Sequence, residues 1–199
     1  ARAILQATGD KLEWVKIGLQ TYLRDGPDFV REVADSGKSV FLDLKLYDIP
    51  NTMVKALESL VDLPIGMLTL HASAGPEALA RCSELANESM PDTLLLAVTV
   101  LTSMDQEILS SIGVSSSVEK QVDRLASLAS ETGIGGIVCS PLELSRLRPL
   151  LPPKVKLVTP GIRPTGSETG DQRRIMTPAA ARDAGADYLV IGRPILSHE

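Results

Sequence analysis

The amino-acid sequence predicts an α/β protein, specifically a (β/α)8 barrel of the TIM type with its first strand missing from the chain. Three observations carry that expectation. Seven short apolar runs recur along the 199 residues, with amphipathic stretches between them. Four of these runs contain Lys16, Asp43, His71 and Thr99, at intervals of 27, 28 and 28 residues, the length of one strand plus one crossover helix. No linker, charge block or low-complexity tract divides the chain. Residues 1–199 are therefore expected to form one barrel domain, truncated at both ends.

Residues 1–8 read as a helix with no strand before it, so the missing strand is expected to precede Ala1. The apolar runs lie at 14–19, 40–46, 67–71, 93–101, 136–140, 156–160 and 188–192. Met53, Leu57, Leu60 and Val61 repeat at near-helical spacing behind Pro50 and Asn51, and Val118, Val122, Leu125 and Leu128 do the same. The longer gap between Thr99 and Cys139 leaves room for an extra loop or helical turn. Thr177-Pro178, an Ala-rich run and Gly185 read as N-cap, first-turn proline and C-terminal stop. Seven such units suit a barrel, which needs about 250 residues or slightly fewer. An open, doubly wound sheet of seven strands is the alternative.

Composition narrows the function. Hydrophobic residues make up 44% and charged residues 23% of the chain, which excludes fibrous and extensively disordered classes. A net charge of −5 supplies no global basic field for nucleic acid or an anionic membrane, and no apolar stretch approaches the ~20 residues of a membrane span. Neither is expected as a partner. Cys82 and Cys139 fit no metal-ligand spacing and make no disulfide framework. A reduced, cytoplasmic protein is the expectation.

The richest segment runs from Val40 to Thr52. Strand side chains alternate, so Val40, Leu42, Leu44 and Leu46 share one face, and Phe41, Asp43 and Lys45 the other. In a barrel the second face points inward, placing a carboxylate and an ammonium at the C-terminal mouth where barrel sites are built. Lys16 holds the equivalent level of the preceding strand, with Val15 and Ile17 opposite, and Asp48 follows in the loop. Together Lys16, Asp43, Lys45 and Asp48 form an alternating set that can hold a lysine protonated and poised as an acid. The plain alternative is a structural ion pair closing the barrel end. At the other end, Thr159-Pro160-Gly161-Ile162-Arg163-Pro164 and Val190-Ile191-Gly192-Arg193-Pro194 end the last two runs. Glycines allow close backbone approach and arginine forks suit phosphate, and residues 165–170 read as a loop that can close over a ligand.

These residues also carry a resemblance. Asp43-Leu44-Lys45-Leu46-Tyr47-Asp48-Ile49-Pro50-Asn51-Thr52 closely resembles the signature of the orotidine 5′-monophosphate decarboxylase family. The likeness extends to Val15-Lys16-Ile17-Gly18, Val100-Leu101-Thr102-Ser103, residues 158–172 and Ile191-Gly192-Arg193-Pro194. It implies a (β/α)8 barrel that converts orotidine 5′-monophosphate to uridine 5′-monophosphate and CO2 as a homodimer, without metal or organic cofactor. Carried over by position, Lys45 would donate the proton to C6 and Asp43 would sit beside the departing carboxylate. Lys16 would bind the ribose region. Asp48 would reach into the partner's site, with Thr52 near it. Thr102 would contact the pyrimidine, and Gln172, Arg163, Gly192 and Arg193 would hold the phosphate end. The family's first-strand aspartate has no counterpart here. Two rivals stay open: a Mg2+-dependent sugar-phosphate decarboxylase or aldolase with a similar DxKxxD pattern, and a catalytically dead nucleotide-binding barrel.

Overall fold

Seven parallel strands follow one another in space as they do in sequence. They are β1 Trp14–Gly18, β2 Ser39–Leu46, β3 Met67–His71, β4 Leu94–Val98, β5 Gly136–Val138, β6 Lys156–Thr159 and β7 Tyr188–Leu189. The structure is a computed structural model and describes residues 2, 5, 9–163 and 175–196. Helices α1 Leu19–Asp35, α2 Pro50–Glu58, α3 Pro76–Ser89, α4 Gln106–Ser111, α5 Val118–Glu131, α6 Leu144–Leu150, α7 Pro178–Asp183 and α8 Arg193–Leu196 alternate with the strands. Of residues 1–8, Arg2 and Leu5 are helical and the others lie outside the described residues.

Sequential order decides between the two architectures. A doubly wound sheet reverses direction at a switch point; this one never does, and it curls in one sense. The curl brings Trp14 of β1 against Tyr188 of β7, ring centroids 5.7 Å apart in an edge-on contact. The open-sheet alternative is thereby set aside.

Alternation along each strand sorts the apolar residues into two cores. Ile17, Val40, Leu42, Leu68, Leu70 and Ile137 point outward and pack with the helices. Phe41, Met67, Leu96 and Val158 point inward, with Trp14, Leu94, Val138, Tyr188 and Val190 packed against them. The inner set fills the barrel axis as an apolar floor, as layered side chains do in this architecture. The two-face reading of residues 40–42 is what the packing shows.

Several boundaries differ from the sequence expectation for local reasons. The run 93–101 pairs only as Leu94–Val98, because the chain leaves the ladder at the barrel mouth to enter the turn before α4. That short helix occupies the long gap before β5, capped by Asp105, whose carboxylate accepts from the Ile108 amide. Helix α2 ends at Glu58, so Leu60 and Val61 sit in the following turn, and Leu60 is still buried. In α7, Thr177 accepts from the Ala180 amide, Pro178 opens the helix and Gly185 stops it at φ 102°. The described helices include none long and apolar enough to cross a membrane.

Candidate functional site

The C-terminal strand ends open into a cavity of about 280 Å3, lined among others by Lys16, Asp43, Lys45, Thr102, Arg163 and Gly192. Phe41, Val98 and Val138 form its apolar side. These six residues come from five separate segments, all of which the sequence reading assigned to one site.

Asp43 organises the charged wall. It lies on β2 with only 9% of its surface exposed. Its Oδ2 accepts from Lys16 Nζ at 3.0 Å and its Oδ1 from Lys45 Nζ at 2.7 Å. Burial alone would raise the Asp43 carboxyl, but the Lys16 charge and the hydrogen bond and charge of Lys45 outweigh it, holding its pKa below the ordinary carboxylate value. The two ammonium groups remain more than a third open to the cavity mouth. Lys16 Nζ also lies over Gly18, where an added Cβ would sit 3.3 Å from it.

Lys45 reaches Asp43 through a break in the strand. Between Leu42 and Leu46 the pairing of β2 with β3 jumps, so that Leu42 faces Leu68 but Leu46 faces Leu70. The extra residues bulge, and Lys45 takes φ 54°, the one positive φ among the described non-glycine residues. That conformation costs an L-residue about 1–2 kcal/mol. Bulges of this kind re-aim side chains beside functional sites. The displaced Lys45 N–H donates to Thr69 Oγ1 at 2.9 Å, and the Thr69 hydroxyl donates to Asp43 Oδ1 at 3.0 Å. Thr69 is 1% exposed. The sequence reading did not single it out, although it lies between two residues of an inward face on β3.

Asp48 stands apart from the four-membered set expected of it. Its Oδ1 accepts from the Ile49 amide at 2.7 Å and the residue is exposed. Within one chain the structure thus joins two ammonium groups and one carboxylate, while Asp48 lies two residues before the Pro50 that opens α2. Thr52, in the first turn of α2, is likewise exposed. His71 ends β3 against the Tyr47 ring, centroids 5.5 Å apart. Burial, and then the nearby Lys45 charge, push its pKa below the usual imidazole value.

At the opposite wall, Arg163 is 5% exposed and donates to the Ile162 carbonyl at 2.8 Å. Gly161 adopts φ 81°, which lets the chain reverse after β6. The Met176 amide then donates to Gly161 O and the Arg163 amide to Met176 O. Gly192 follows β7 at the same wall. The backbone of Arg193 opens α8. Gln172 and the loop 165–170 lie outside the described residues.

Comparison with known proteins agrees with this fold. Residues 1–199 match the model of the orotidine 5′-phosphate decarboxylase / HUMPS family. The chain is 54% identical over 192 residues to the orotidine 5′-phosphate decarboxylase of Opitutus terrae, covering 96% of this chain and 84% of that one. It is 51% identical to the Vibrio campbellii enzyme of the same name, over 91% of this chain and 78% of the other. Among solved structures, the orotidine 5′-phosphate decarboxylase of Lactobacillus acidophilus superposes with a TM-score of 0.82 at 33% identity, over 93% and 80% of the two chains. A match along the whole chain, with relatives above half identity and a shared curled sheet, leads to one conclusion: this chain belongs to the orotidine 5′-phosphate decarboxylase / HUMPS family.

Proposed function

We propose that this protein decarboxylates orotidine 5′-monophosphate to uridine 5′-monophosphate, as its relatives' names describe, with Lys45 as the proton donor. The observation that carries the reading is the Lys16–Asp43–Lys45 ion-pair chain standing over an apolar floor in a nucleotide-scale cavity. Loss of CO2 breaks the bond to C6 and leaves its electron pair on that carbon. An ammonium held in place beside a dry wall stabilises that developing charge, then passes its proton to C6 and is reprotonated from water. Asp43 fixes the ammonium and would stand beside the leaving carboxylate, a repulsion whose weight in catalysis is contested. Fixed electrostatics is the larger contribution.

Lys16 would hold the ribose, Thr102 the pyrimidine, and Arg163 with Gly192, Arg193 and Gln172 the phosphate. The exposed Asp48 and Thr52 suit a homodimer in which each chain completes its partner's site. Tyr47 and Ile49, exposed on either side of Asp48 in sequence, offer apolar area for such a contact. Lys45 supplies the proton and the positive field, so the reaction needs neither metal nor organic cofactor. Cys82 and Cys139 are buried and form no disulfide, in keeping with a reducing cytoplasm.

The test is consumption of orotidine 5′-monophosphate by the purified protein, with and without a metal chelator. Equal turnover in both supports the reading. Turnover only with Mg2+ on a sugar phosphate would replace it with the aldolase-type alternative. Nucleotide binding by folded protein without CO2 release would point to the dead-barrel alternative.

A further inference from the structure

We propose that Thr69 is a positioning residue for this decarboxylation, its hydroxyl holding the Lys45 backbone in its bulged conformation and thereby aiming the ammonium. The inference rests on the function proposed above and names a residue that function did not use. Three bonds form a closed circuit: Lys45 N–H to Thr69 Oγ1 at 2.9 Å, the Thr69 hydroxyl to Asp43 Oδ1 at 3.0 Å, and Lys45 Nζ to the same Oδ1 at 2.7 Å.

A hydroxyl has one proton to donate and lone pairs to accept. Here the proton is spent on the carboxylate and a lone pair on the amide of the very residue whose ammonium that carboxylate holds. The register jump between Leu42 and Leu46 takes the Lys45 amide out of the regular β2–β3 ladder. The left-handed φ of Lys45 opposes the arrangement, since a side-chain-bearing residue returns to an extended conformation unless something holds it. Thr69 is itself held, buried at 1% exposure on a paired strand between Leu68 and Leu70, both fully buried. The hydroxyl thus links a rigid strand to a strained one at the point where the acid is presented.

Thr69→Val keeps the shape and removes both bonds; Thr69→Ser keeps both. Thr69→Val is expected to lower kcat about 10–100-fold with KM changed less than about threefold, the signature of a misaimed reacting group. Thr69→Ser is expected to restore kcat to within about threefold of wild type. Amide hydrogen exchange adds a readout independent of turnover: the Lys45 amide of the wild-type protein should be protected. A Thr69→Val kcat within twofold of wild type, equal damage from Ser and Val, or an unprotected Lys45 amide would each overturn the inference. If the wild-type protein itself fails to release CO2, the proposed function falls, while the exchange measurement still decides whether Thr69 holds Lys45. The same measurement serves if Thr69→Val does not fold.

Discussion

Asp43 and Lys45 lie two residues apart on one strand, yet the Lys45 ammonium touches the Asp43 carboxylate at 2.7 Å. In a regular strand, side chains two residues apart run side by side. Here the bulge tips Lys45 back toward Asp43, while Lys16 approaches the carboxylate's other oxygen from β1. The Lys45 ammonium is therefore held through its backbone as well as at its tip.

Lys45→Ala removes the proposed proton donor and the ammonium nearer to Asp43 together. Turnover is expected to fall at least about 10^3-fold, combining the usual worth of a general acid and of fixed electrostatic stabilisation. Uridine 5′-monophosphate should still raise the melting temperature of the variant, since Arg163 and Gly192 are untouched. Near-normal turnover would remove Lys45 from the role of acid.

Asp43 predicts a pH dependence of stability. Its folded pKa lies below the ordinary value, so the ion pairs stabilise the fold fully above the unfolded carboxylate pKa near ~3.9 and lose that effect as pH falls through the folded value. Asp43→Asn should cost about 1–2 kcal/mol at neutral pH, below the full worth of a buried pair because both lysines stay partly solvated. Denaturant titrations of the two proteins at pH 7 and near pH 3 check this: the gap should narrow in acid. A gap that widens there contradicts the assignment.

Asp48 predicts complementation between chains. If it acts in the partner's site, Asp48→Ala and Lys45→Ala are each inactive alone. Mixing them under exchange conditions should restore activity to about a quarter of wild type, because half of the dimers are mixed and each carries one complete site. Rates of the mixture equal to the mean of the two variants would place Asp48 outside the partner's site.

Gly136 predicts a purely structural effect. A Cβ there would lie 2.5 Å from Leu96 Cδ2 and 3.2 Å from the Lys156 carbonyl oxygen. Leu96 is fully buried in the barrel floor, so Gly136→Ala overpacks the floor at a cost of about 1–3 kcal/mol. The melting temperature should drop by roughly 3–10 °C. An unchanged melt would mean that the floor has slack that the packing does not reveal.

Much of the frame was legible in the linear chain because strand and helix periodicity are local. The starts of the seven strands fall within one residue of the apolar runs. The inward face of β2 followed from alternation, and the cap, proline and glycine around α7 followed from turn chemistry. Ladder lengths were read too generously at 93–101 and 188–192, because a strand ends where its neighbour stops pairing, and that neighbour lies far away in sequence.

The chemistry of the site divides in the same way. Residue types and their order along the chain marked Lys16, Asp43, Lys45 and Asp48 as one alternating set, since charges brought inside a barrel are costly unless paired. Folding alone decided that Asp48 leaves that group, that Thr69 enters it, and that Lys45 bends out of regular strand geometry to reach its carboxylate. Those three outcomes depend on the register between β2 and β3 and on the path of the loop that carries Asp48. Such relationships arise between segments rather than within one, so no local pattern can record them.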